Sequence, residues 1–319
     1  MERLRYLGLV AREVENAIAA SKCSPEYIEL LRQVLGDPGG ILSPSARVRW
    51  GSLVLLTCES ASYGEWRHAV PAAAALEVFA ASLETFDDVE DDDPPPPWFE
   101  LGKGHLTNVA YGLLMLSQQC VFRLAKRKET ADKAMAVADV LSGVGLIAGS
   151  GQHYDLLLEG RTDVSKEQCV EIASQKSASL VSGACRVGAL LGTENQDLIE
   201  QYARFGWHVG MAAQLDNDIE GVRRPGKSDI RRFKPILPLS FYAESLRSDG
   251  ISPPVGEVDE EKVRRALWDS GAIHYTWVIA DVHRQQAEEI LDKIEEVRPA
   301  RFLLGHLVAP EEEVQAVRR

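Results

Sequence analysis

Phe86-Asp87-Asp88-Val89-Glu90-Asp91-Asp92-Asp93 closes a long apolar stretch that includes Val78-Phe79-Ala80-Ala81-Ser82-Leu83. The pattern predicts a helix over 69–91 that ends in a carboxylate cluster at the rim of a hydrophobic slot. Asp87 and Asp91 are four apart and share one helical face. Two carboxylates one turn apart repel unless a cation sits between them. Mg²⁺ takes one or two carboxylates and fills its other positions with water or phosphate oxygens. Taken alone, the run also reads as a solvated acidic face on an acidic chain.

The chain is long enough, at 319 residues, to bury a large core. Hydrophobic content of 45 % and charged content of 26 % are those of a globular protein. The net charge of −13 argues against binding nucleic acid or an anionic membrane, since no cationic stripe is present. Five scattered cysteines (Cys23, Cys58, Cys120, Cys169, Cys185) form no CxxC pair, so neither a disulfide framework nor a zinc site is expected. The N-terminus lacks the uninterrupted apolar region of a signal peptide. No window of 18 apolar residues is free of charge, so no transmembrane helix is expected. The expected location is the cytoplasm.

Helical signals dominate the rest. Ser24-Pro25 reads as an N-cap with proline in the first turn, and Gly36 as the stop. Ser43-Pro44 repeats that signal before a helix over 46–60. Ser165 with Gln168 reads as a capping box before a helix running to Leu191. Residues 105–126, 131–150, 195–222, 235–247 and 260–294 also read as helices. Sustained period-two alternation is missing, so no sheet is expected. Pro94-Pro95-Pro96-Pro97-Trp98 ends the acidic helix abruptly. The expected architecture is a single all-α domain over 1–319, a helical bundle around a central hydrophobic cavity.

A second acidic cluster, Gln214-Leu215-Asp216-Asn217-Asp218-Ile219-Glu220-Gly221, also follows an apolar helical stretch. Single polar residues punctuate other apolar helices: Gln152, Asp155 and Lys176. A basic loop with Lys227 and Lys234 follows the second cluster. Carboxylates holding Mg²⁺, Mg²⁺ holding diphosphate and lysines neutralising the remaining oxygens would make one working set.

These motifs, in this order over about 40–240, resemble the trans-isoprenyl diphosphate synthase (polyprenyl synthetase) superfamily. The matching residues are Ala75-Leu76-Glu77 through Asp91, Gly151-Gln152 with Asp155, and Lys176-Ser177-Ala178. Gln214 with Asn217-Asp218 and Lys227-Ser228-Asp229-Ile230 with Lys234 complete the series. The resemblance implies an all-α fold, a homodimer and an allylic isoprenyl diphosphate substrate of about fifteen to twenty carbons, with three Mg²⁺ ions when it is bound. It implies metal ligation by Asp87, Asp88, Asp91, Asn217 and Asp218. Lys176, Gln214, Lys227 and Arg49 would bind diphosphate. Phe79, Ser82, Leu83 and Phe86, spaced i, i+3, i+4, i+7, would line the cavity.

Several departures from the elongating members stand beside this. Their Gly-Gly-Lys-x-x-Arg-Pro motif corresponds to Ser45-Ala46-Arg47-Val48-Arg49-Trp50, so the lysine is replaced by Ala46. The paired arginines after the first acidic motif are replaced by the proline run. Asn217 and Gly221 stand where aspartates are usual. By charge count the site for isopentenyl diphosphate looks dismantled. The expected reaction is therefore Mg²⁺-dependent ionisation of the allylic diphosphate and cyclisation without isopentenyl diphosphate. The alternatives are chain elongation, prenyl transfer to a peptide or aromatic acceptor, and a non-catalytic regulatory subunit.

Overall fold

The computed structural model describes residues 2–43, 50–92, 98–254, 256 and 258–294. Among them every regular element is helical, as the sequence implied, and no strand is present. In chain order the α-helices are α1 (Glu2–Ala20), α2 (Pro25–Leu35), α3 (Trp50–Ala61), α4 (Val70–Glu90), α5 (Lys103–Leu124), α6 (Ala134–Leu158) and α7 (Lys166–Ala173). They continue as α8 (Ser179–Gly192), α9 (Gln196–Arg223), α10 (Asp229–Arg232), α11 (Leu237–Ser248), α12 (Glu260–Asp269) and α13 (Ala272–Lys293). The chain forms two compact units, Met1–Ser142 with Gly183–Ala203, and Gly143–Ser182 with Arg204–Glu295.

The first unit is built on α4, against which α1, α3 and α5 pack. Every residue from Val70 to Ala80 is buried, so α4 is apolar all round in its first half. The polar groups there have structural partners. Glu77 is buried, and its Oε1 accepts from Gly51 N at 2.7 Å. It thus satisfies an amide in the first turn of α3 and sets a negative charge at that helix's positive end. Ser117 of α5 donates to Ala75 O at 2.9 Å, and Ser82 of α4 donates to Ala110 O at 2.8 Å.

In the second unit, Ile219, Val222, Ile230, Phe233, Leu239, Leu267 and Ile273 form one buried cluster. It fixes the C-terminal end of α9 against α10 and the last helices.

Several boundaries differ from the sequence expectation. The helix expected over 46–60 begins at Trp50 within the described residues, and its expected start at 46–49 lies outside them. The helix expected over 131–150 runs instead to Leu158 and carries Gln152 and Asp155. The single helix expected from Ser165 is interrupted at Ser174–Ala178 by one π-turn. The expected helix over 260–294 breaks at Gly271, whose φ of 81° is the left-handed value glycine tolerates. Arg67–Glu90 and α6 are long and apolar enough to cross a membrane by length and composition, in windows that admit charged residues. The first is a core segment, 78 % buried, whereas α6 is 33 % buried.

Candidate active site

In the first unit, α4 ends at Glu90, with Asp91 as its C-cap and Asp92 in the left-handed region at φ 54°. Asp87, Asp88 and Asp91 are all partly exposed in or next to the last turn. Asp91 N donates to Asp87 O at 2.8 Å, so the helical register holds through the cap and keeps the two side chains on one face. A helix C-terminus carries partial negative charge, which disfavours carboxylates in its last turn. Three of them there create a field that a cation would relieve. A neighbouring cation, Lys103, pairs with Asp92 at 2.9 Å on the surface. Of the four expected cavity residues, Phe79 is 3 % exposed and Ser82 is fully buried, while Leu83 and Phe86 are partly open.

In the second unit, Gly151 lets α6 approach the π-turn closely. A β-carbon there would lie 2.5 Å from Lys176 N and 2.9 Å from Gln175 Cβ. Asp155, one turn on and on the same face, meets Lys176, Nζ to Oδ2, at 3.0 Å. Lys234 approaches the same oxygen at 4.0 Å. The π-turn, a common device at functional sites, also presents Ser177. Ser177 donates to Gln214 Oε1 at 2.5 Å, and Gln214 donates to Asp218 Oδ1 at 2.7 Å. Two adjacent residues of the π-turn therefore reach separate carboxylates, Lys176 directly to Asp155 and Ser177 through Gln214 to Asp218.

Asp218 is 4 % exposed. Burial pushes its carboxyl up to about 7; the Gln214 hydrogen bond opposes this, while Asp229 and Asp155 reinforce it and Lys176 opposes it. Asn217 and Lys227 are exposed, and Arg49 lies outside the described residues. Asp155, to which sequence reasoning gave no role, is the carboxylate on which Lys176 and Lys234 converge. Its spacing from Gly151 was legible, but its pairing with Lys176 needed the fold.

Among the described residues no three His, Cys, Asp or Glu side chains converge into a ready-made cation site. Mg²⁺ is usually held by one or two carboxylates and takes its other ligands from phosphate and water. Gln152, one turn before Asp155, has both amide atoms buried without a hydrogen-bond partner. Orphaned polar atoms beside a lysine and carboxylates fit a site that takes a polar guest.

A family model described as polyprenyl synthetase matches residues 41–247. The geranylfarnesyl diphosphate synthase of Aeropyrum pernix is 27 % identical over 71 % of this chain and 76 % of its own length. The tryptophan prenyltransferase ComQ of Bacillus spizizenii is 28 % identical over 71 % of this chain and 81 % of its own. A decaprenyl diphosphate synthase structure from Rhodobacter capsulatus superposes with a TM-score of 0.81 at 19 % identity, covering 99 % of this chain and 97 % of that one.

These relatives overturn the expectation of cyclisation without isopentenyl diphosphate, because they are named as diphosphate synthases and a prenyltransferase. The missing basic residues report on the second substrate's grip and say nothing about ring closure. With its acidic helix end, its lysine-bearing π-turn and its buried Asp218 in an all-α frame, the chain belongs to the polyprenyl synthetase family of isoprenoid-forming enzymes.

Proposed function

We propose that the protein is a chain-elongating prenyltransferase that uses an allylic isoprenyl diphosphate as donor and isopentenyl diphosphate as acceptor. The observation that carries this reading is the network in which Asp155 holds Lys176 while Ser177 and Gln214 lead to buried Asp218. Asp87, Asp88 and Asp91 on α4 would hold Mg²⁺ in the first unit, and Asp218 with Asn217 on α9 would hold it in the second. Bound there, Mg²⁺ supplies positive charge to the diphosphate oxygens as they become a leaving group. Lys176 and Gln214, held by Asp155, Ser177 and Asp218, would stabilise that same charge with donors fixed before reaction, and exposed Lys227 would add positive charge from the loop. The allylic carbon–oxygen bond breaks with its electron pair going to the diphosphate. The double bond of the acceptor then attacks the resulting carbocation, and a proton leaves the acceptor. Leu83 and Phe86 present apolar surface to the hydrocarbon and keep water from the cation.

A second reading, transfer to an acceptor other than isopentenyl diphosphate, is favoured by Ala46 in place of the usual lysine and by the proline run in place of paired arginines. One assay separates the two. Purified protein is given farnesyl diphosphate and Mg²⁺, with and without isopentenyl diphosphate. Elongation requires a longer prenyl diphosphate only when both are present. No longer product, together with prenylation of a supplied peptide or indole, would establish the second reading.

A homodimer also fits. Leu146, Ile147, Tyr154 and Leu157 are exposed large apolar side chains on one face of α6, with Leu146 79 % and Leu157 57 % open and with Ser150 and His153 between them. Sedimentation at micromolar concentration tests it.

A further inference from the structure

The π-turn at Ser174–Ala178 is gripped by α9 at two places, seven residues apart on that helix. One is Gln214, which accepts from Ser177. The other lies outside every motif the sequence singled out: Trp207 Nε1 donates to Ser174 Oγ at 3.0 Å, at the first residue of the turn. Positions 207, 210, 211 and 214 share one helical face. Between the two grips the segments are in close contact. A β-carbon on Gly210 would lie 2.7 Å from Ala178 Cα, and Met211 packs with Ala173 and Ala178 in a buried cluster that Trp207 joins.

A π-turn carries one more residue than the α-helix around it, and its register is the less common one. Here Ser179 N donates to Ser174 O, five residues back, and Ser179 Oγ donates to Gln175 O at 2.6 Å. Loss of this register would rotate the segment before the turn by about 100° against the segment after it, one residue's share of a helical turn. Lys176 lies inside the turn, so its direction depends on both ends being held.

We propose that Trp207 is a positioning residue for the diphosphate group: by holding Ser174 it keeps the π-turn in the register that aims Lys176 at the ligand. The inference rests on the reading of Lys176 as a diphosphate-binding residue.

The test uses the full chain, Mg²⁺ and inorganic diphosphate, followed by calorimetry. Trp207→Phe keeps an aromatic ring and removes the donor; Ser174→Ala removes the acceptor. Each should weaken Mg²⁺-dependent diphosphate binding about tenfold, the scale for a group that orients a ligand. The double variant should be no weaker than either alone, since both break the same bond. Ser174→Thr keeps the hydroxyl and should bind like the parent. In a Lys176→Met background, Trp207→Phe should have no further effect.

If the unaltered protein binds Mg²⁺–diphosphate and Trp207→Phe or Ser174→Ala binds it equally well, the inference is wrong and the diphosphate site stands. A tenfold loss from Trp207→Phe that persists in the Lys176→Met background would mean a general structural effect and also overturn it. Should Trp207→Phe fail to fold, Ser174→Ala with and without Lys176→Met decides by the same measures. If the unaltered protein shows no Mg²⁺-dependent binding, the reading of the site falls and the inference with it.

Discussion

Lys176 and Asp155 meet at 3.0 Å, from a π-turn and from a helix one turn past a glycine. The carboxylate is almost fully buried and the ammonium is about three-quarters buried. Replacing Lys176 with Met leaves the buried Asp155 charge to the more distant Lys234 and is expected to cost about 2 kcal/mol of stability, less than the loss of a fully buried pair. Asp155→Asn keeps the volume but loosens both lysines. Its kcat/KM for the allylic substrate should fall roughly 100-fold, the upper scale for a group that orients a ligand. Unchanged kinetics in the Asn variant would show that Lys176 is positioned without Asp155.

Gly151 and Gly149 form a matched pair for testing close approach. At Gly151 a methyl group would press on Lys176 N, whereas at Gly149 nothing lies within 4 Å. Gly151→Ala should destabilise by about 1–3 kcal/mol, the usual cost of overpacking. Gly149→Ala should stabilise by about 0.5–1 kcal/mol, because alanine is the better helix former. Urea denaturation of both variants measures this, and equal shifts of the same sign would refute the steric account.

His208 on α9 and His283 on α13 face each other, Nδ1 to Nδ1, at 3.0 Å, and both rings pack edge-on to Trp207. Burial and the His208 ring push His283 down to about 4, and burial with nearby Arg204 lowers His208. A histidine that resists protonation in the folded state binds fewer protons than the unfolded chain below its ordinary value. The stability this pair contributes is therefore present above about pH 6.5 and is lost as pH falls toward 4. His283→Gln should flatten the fall in melting temperature over that window. An identical slope in variant and parent would exclude the pair as its source.

Glu77 should matter for folding more than for chemistry. Glu77→Ala leaves Gly51 N without its acceptor and is expected to cost about 1–3 kcal/mol, the penalty of a buried donor left unmet. Glu77→Gln keeps an acceptor oxygen and should cost less. Chemical denaturation ranks the two, and the reverse order would mean that Gly51 is capped some other way.

Local chemistry made much of this readable in advance. Ser24 caps α2 through Tyr27 N, and Ser165 with Gln168 forms the capping box expected of it, because caps involve only neighbouring residues. The acidic end of α4 followed from apolar length and a carboxylate run. The π-turn at Lys176 did not, since a one-residue change in hydrogen-bond register leaves the apolar pattern intact. Nor did the pairing of Asp155 with Lys176, which depends on how closely Gly151 lets two segments approach. The reaction was misjudged for another reason. Residues absent from one substrate's grip do not specify which acceptor replaces it.

The enclosure of α4 has a consequence for how this enzyme can diversify. From Val70 to Ala80 its side chains are buried, and any change there must be matched by neighbours on other helices. Leu83 and Phe86 sit on the same strip beyond that locked zone and are partly open. If Leu83 and Phe86 line the hydrocarbon's path as proposed, product variation would proceed by single substitutions at these two positions, with the buried half of the helix unchanged.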